Sequence, residues 1–118
     1  MREVILDTNI LVSVVEKKID VVRELNELLP DGFNPIILKQ CLYEVKSLDK
    51  KIASAVEKYV EANKIKVIEG AGKADEIIFD YALKTHARVV TRDYALRKRL
   101  KKAGIQVIIL INSRLVFA

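Results

Sequence analysis

Four acidic residues occupy positions where a carboxylate could do chemistry: Asp7, Glu44, Asp75 and Asp93. Asp7 follows the apolar run Val4-Ile5-Leu6 and precedes Thr8-Asn9, so a buried strand runs directly into an acid, a hydroxyl and an amide. An ionised carboxylate at the end of such a strand is costly to bury unless something pairs with it. In open α/β sheets that end is where ligands and metals sit. Asp93 follows Arg88-Val89-Val90-Thr91 in the same way. Both also read as N-caps of the helices that follow, because Asp is a preferred capping residue.

The other two acids are placed by helical periodicity. At about 100° per residue, Glu44 falls roughly 100° from the centre of the stripe formed by Leu38, Cys41, Leu42, Val45 and Leu48. That is the margin between core and solvent, a place for a cleft-lining acid or for an ordinary solvated Glu. Asp75 lies about 90° from the stripe of Ala74, Ile77, Ile78, Tyr81 and Ala82, near a helix start that favours an anion. Glu76 and Asp80 point away from that stripe and read as surface charges.

These acids need elements to position them, and strand and helix signals alternate along the chain. After the first strand come a short helix over 10–15 and a second carrying Val21, Val22, Leu25, Leu28 and Leu29, stopped by Pro30-Asp31-Gly32. Pro35-Ile36-Ile37-Leu38 is a strand, followed by the Glu44 helix and a fourth helix with Ile52, Val56, Tyr59 and Val60. Residues 65–68 form a strand, then comes the Asp75 helix, then the strand ending at Thr91. Leu96, Leu100 and Ala103 mark a sixth helix capped by Gly104, residues 105–111 a long strand, and 115–117 a short tail strand. Regular βα alternation with apolar strands implies a mainly parallel sheet covered by helices on both faces. Two strand-end acids meet if their strands are neighbours, which a doubly wound sheet provides at its switch point.

The 118 residues suffice for one domain, 1–118, with a real core and no need of disulfides. The single Cys41 sits in an apolar stripe, as a core residue, and fits a reducing, cytoplasmic compartment. The chain enters its first strand with no targeting segment, and no apolar stretch is long enough to span a bilayer. With one histidine, His86, and no cysteine cluster, zinc is disfavoured; His86 reads as a helix-end residue. Gly70-Ala71-Gly72-Lys73 lacks the glycine spacing and the Ser or Thr of a phosphate loop. The net charge of +5 is a weak pointer to polyanionic partners. Arg97, Lys98, Lys101 and Lys102 lie opposite the stripe of the sixth helix, where a phosphate backbone reaching the acids could run past them or where they simply face solvent. Arg92 is nearer the acids, and Tyr94 could stack on a base or pack half-buried.

Taken together, the stretches Val4-Ile5-Leu6-Asp7-Thr8-Asn9, Leu42-Tyr43-Glu44-Val45, Ala74-Asp75-Glu76-Ile77-Ile78 and Val89-Val90-Thr91-Arg92-Asp93 resemble the PIN-domain nuclease family, over essentially the whole chain. Leu96-Arg97-Lys98-Arg99-Leu100 and Ala103-Gly104-Ile105-Gln106-Val107 fit as well. The chain looks most similar to the compact archaeal and eukaryotic branch linked to small-subunit ribosomal RNA processing. The resemblance implies a three-layer α/β/α fold with sheet order 3-2-1-4-5. It implies an endoribonuclease using Mg²⁺ or Mn²⁺, with Asp7, Glu44, Asp75 and Asp93 as catalytic, metal-binding acids. Thr8, Asn9 and Thr91 would support them, and Arg92, Arg97 and Lys98 would contact RNA, such as ribosomal precursor RNA. A homodimer is also implied. Arg92 departs from the Asn that many members carry there. The alternatives within the fold are a toxin of a toxin–antitoxin pair and a non-catalytic RNA-binding module. A metal-dependent phosphatase would need an acid where Asn9 stands.

Overall fold

The structure is a computed structural model that describes residues 1–118. Its centre is β1 (Glu3–Leu6), whose Val4, Ile5 and Leu6 are fully buried. A strand covered on both faces needs an unbroken apolar run rather than alternation, and this one lies between β2 (Asn34–Leu38) and β4 (Arg88–Val90), parallel to both. Beyond β2 lies β3 (Lys66–Ile68), and beyond β4 lies β5 (Val107–Ile111), again parallel. A sixth strand, β6 (Arg114–Phe117), joins β5 antiparallel, so the sheet order is 3-2-1-4-5-6. The expected order is met, with the tail strand added at the edge. Asn112 and Ser113 both have positive φ, at 49° and 65°, as a two-residue hairpin turn requires. β5 begins at Val107, later than its apolar sequence suggests, because the turn at Gly104 leaves Ile105 buried in the connection.

The six expected helices are α1 (Thr8–Glu16), α2 (Val21–Leu28), α3 (Lys39–Leu48), α4 (Lys50–Ala62), α5 (Ala74–Thr85) and α6 (Tyr94–Lys102). α1, α3 and α4 pack on one another, and α5 packs on α6. Right-handed crossovers put helices on one face while the chain moves from β1 to β3, and on the other once it returns through β4 to β5. The result is three layers, α/β/α. One apolar cluster, which includes Cys41, fills the space between them.

Helix ends explain much of the local structure. Asp20 caps α2 by accepting from the Arg23 N–H. The Tyr59 hydroxyl of α4 donates to the same carboxylate at 2.7 Å and accepts from the Val22 N–H at 2.9 Å. α5 closes on His86 in the left-handed conformation, φ 59°, with its N–H on the Ala82 carbonyl; this is the helix-end position expected of it. Because β1 leads to β2 on one side and pairs with β4 on the other, the switch point of the sheet lies at the carboxyl ends of β1 and β4.

Candidate metal centre at the sheet switch point

Leu6 and Val90 are register partners, so the residues that follow them emerge side by side. Asp7 continues β1, and its N–H reaches the Val90 carbonyl at 3.0 Å. Its side chain caps α1: Oδ1 accepts from the Thr8 N–H at 2.8 Å. Oδ2 accepts from the Thr91 hydroxyl at 2.6 Å. The same hydroxyl accepts from the Asp93 N–H at 3.0 Å. The Thr91 hydroxyl therefore joins the Asp7 carboxylate to the Asp93 backbone, and Thr91 is completely buried. Asp93 in turn caps α6 by accepting from the Leu96 N–H. Both acids thus cap the helices that follow them while lining the same cleft.

Glu44 reaches the same place from α3. Its Oε2 accepts from the Thr8 hydroxyl at 2.9 Å, which joins it to the first turn of α1. Asp75 sits in the first turn of α5, where its Oδ1 accepts from the Glu76 N–H. Asp7, Glu44, Asp75 and Asp93 all line one cleft of about 830 Å³, together with Arg92 and Lys73. The carboxylates ring this cleft; no three acidic, His or Cys side chains close into a ready-made cage.

Burial is the main reason the Asp7 carboxyl is held above its ordinary range, and the charges of Asp93 and Glu44 push the same way. The bonds from Thr91 and Thr8 oppose them. A partly desolvated carboxylate facing like charges calls for a cation. The cleft offers oxygen donors and neither His nor Cys. That set suits a hard divalent ion such as Mg²⁺ or Mn²⁺ and not zinc. The donor types therefore fit a hard divalent metal. Cys41 lies beneath the cleft, and burial pushes its thiol up to about 11, so it stays protonated.

The supporting residues divide their work differently from expectation. Thr8 and Thr91 hold carboxylates directly. Asn9 holds none: its Oδ1 accepts from the Arg92 N–H at 3.0 Å. Ser13, one turn further along α1, accepts from the Arg92 guanidinium at 3.1 Å. Positions i and i+4 share a helix face, so Asn9 and Ser13 grip both ends of Arg92. Ser13 was not expected to matter; its spacing from Asn9 was the available signal. Lys73 was also missed, as part of an uninformative loop. The Gln40 side-chain amide donates to the Gly70 carbonyl and ties this loop to α3. Arg97 and Lys98 stand outside the acid cleft, both over the ring of Tyr94. Glu76 is the expected surface charge, paired with Arg99 at 2.7 Å.

Comparison with known proteins agrees with this architecture. The PIN domain endonuclease Utp24 has a TM-score of 0.83 and 23% identity, over 98% of this chain and 90% of that one. A domain of a functionally unknown protein from Methanocaldococcus jannaschii gives 0.62 and 18%, over 94% and 92%. VapBC2 from Rickettsia felis, bound to a DNA fragment from its promoter, gives 0.59 and 21%, over 82% and 92%. These likenesses carry the fold. No curated protein matches by sequence. A family model described as "PIN like domain" matches residues 4–113. The chain belongs to the PIN-like domain family.

Proposed function

We propose that this chain is a metal-dependent endoribonuclease that hydrolyses RNA at the four-acid cleft, leaving a 5′-phosphate and a 3′-hydroxyl. The observation that carries the reading is the Thr91 clamp, which holds Asp7 and Asp93 together beside Glu44. A bound Mg²⁺ or Mn²⁺ would supply a Lewis acid for the scissile phosphate and lower the pKa of a bound water. Asp7 and Asp93 would hold that ion, since the Thr91 hydroxyl ties the Asp7 carboxylate to the backbone of Asp93. Glu44 and Asp75 would complete its environment from the α3 and α5 sides. Arg92 and Lys73, the cations that line the cleft, would take the negative charge of the RNA backbone. The clamping of Arg92 by Ser13 and Asn9 orients it before substrate arrives, which reduces the ordering cost of binding.

Ribosomal precursor RNA is the substrate class this reading favours. It draws support from the resemblance of the four acid-bearing stretches to the branch linked to small-subunit ribosomal RNA processing. A non-catalytic module would be expected to lose acids, and all four are retained. The test is cleavage of end-labelled RNA in Mn²⁺ by the parent and by Asp7→Asn. The parent cleaves and the variant does not; equal rates would overturn the assignment.

A further inference from the structure

Tyr94 opens α6 with 63% of its surface exposed. A Tyr so placed contributes little to the core and leaves its ring available. The Arg97 guanidinium carbon lies 4.9 Å from the ring centroid and the Lys98 Nζ 5.5 Å, both from the next turn of the same helix. Beside the ring runs a second groove of about 270 Å³, with Ile109, Leu110 and Ile111 as its apolar wall. Tyr94 and Arg97 of α6 and Thr91 and Arg92 before it form the rest of the lining, and Ile111 is half exposed.

The groove differs from the acid cleft in charge. No carboxylate lines it, whereas Arg92 and Arg97 do. Arg92 lines both depressions and marks the passage between them. An aromatic face, an apolar wall and unopposed cations suit a flat apolar body attached to an anion. That is the chemistry of a nucleotide. The volume is just under the ~300–1,000 Å³ of pockets for drug-sized ligands, which leaves room for one base.

Resting on the nuclease reading above, we propose that this groove is a nucleotide subsite for one unpaired base of the RNA next to the cleaved bond. The base stacks on Tyr94 against Ile109 and Ile111. Its flanking phosphates lie on Arg92 at one end and on Arg97 and Lys98 at the other. A base inside a duplex is already stacked and cannot enter. The subsite therefore selects single-stranded RNA and sets which phosphate reaches the acids.

The experiment is equilibrium binding, without divalent metal, of a short labelled oligoadenylate, free or annealed to oligouridylate, to the full chain and its Tyr94 variants. Tyr94→Ala should weaken single-strand binding roughly tenfold while Tyr94→Phe stays within about twofold, as loss and retention of one stacking contact imply. Duplex binding should be the same for all three proteins. A single-strand affinity unchanged in Tyr94→Ala overturns the subsite, as does an equal loss for the duplex. A dimer in light scattering that Ile111→Ser converts to monomer would also overturn it, because a second copy would then cover the groove. Cleavage in Mn²⁺, measured alongside, separates this proposal from the one it rests on. An inactive parent that keeps the Tyr94 binding signature leaves the subsite standing without the nuclease. An active parent with unchanged kcat/KM in Tyr94→Ala leaves the nuclease without the subsite. A parent that neither binds nor cleaves removes both.

Discussion

Thr91 is the residue on which the geometry of the cleft depends. Its hydroxyl donates to Asp7 and accepts from the Asp93 N–H in a fully buried position. Thr91→Val keeps the shape and removes both bonds, so it should cost about 1–3 kcal/mol in urea denaturation. It should also slow cleavage by ~10–100-fold, the usual cost of losing a partner that orients a metal ligand. Asp7 should behave in the opposite sense for stability. Its carboxyl is held above the ordinary range by burial, so the folded chain binds that proton more tightly than the unfolded one. The contribution of Asp7 to stability is then complete below the ordinary carboxylate range and is lost as pH rises through the raised value. In EDTA at neutral pH, Asp7→Asn should melt at or above the parent, and the difference should close toward acid pH. A lower melting temperature at neutral pH would mean that the charge is not a burden. At this scale the acids were legible from strand ends and helix faces. The grip of Asn9 and Ser13 on Arg92 was not, because Arg92 and Ser13 are 79 positions apart in the chain.

Among the elements, α2 is tied to α4 by one side chain. The Tyr59 hydroxyl serves Asp20 and the Val22 N–H together, so it holds the N-terminus of α2 in place. Tyr59→Phe should cost about 1 kcal/mol in urea denaturation and leave cleavage unaffected, since neither helix end touches the acid cleft. Burial and the Asp20 carboxylate hold the phenol above its ordinary value. Its contribution is therefore complete below the usual tyrosine range and lost only as pH rises beyond it, and the parent and Tyr59→Phe should converge in alkaline solution. Periodicity identified all six helices because each buries one face. The β5–β6 hairpin was legible only as a tail strand: its turn residues Asn112 and Ser113 carry no glycine to announce positive φ. The length of β5 was overread because a buried connection such as Ile105 is as apolar as a strand.

Over the whole molecule, charge is divided between neighbouring depressions. The acids gather at the sheet switch point, and α6 carries cations past it. If Arg92, Arg97 and Lys98 each displace a counterion, single-stranded RNA affinity should fall with a log–log salt slope of about −2. A slope near zero would remove the phosphate contacts. The division was visible in sequence only as a small net excess of base, since net charge does not record where charges lie. The fold was more legible than the site, because apolar periodicity repeats along every element whereas each acid contributes a single position. The central claim is that the four carboxylates hold a divalent cation, and anomalous diffraction from a crystal soaked in Mn²⁺ tests it most directly. The account predicts a peak bonded to Asp7 and Asp93, with Glu44 and Asp75 facing it directly or through water. An ordered cleft that stays free of manganese at saturating Mn²⁺ would contradict it.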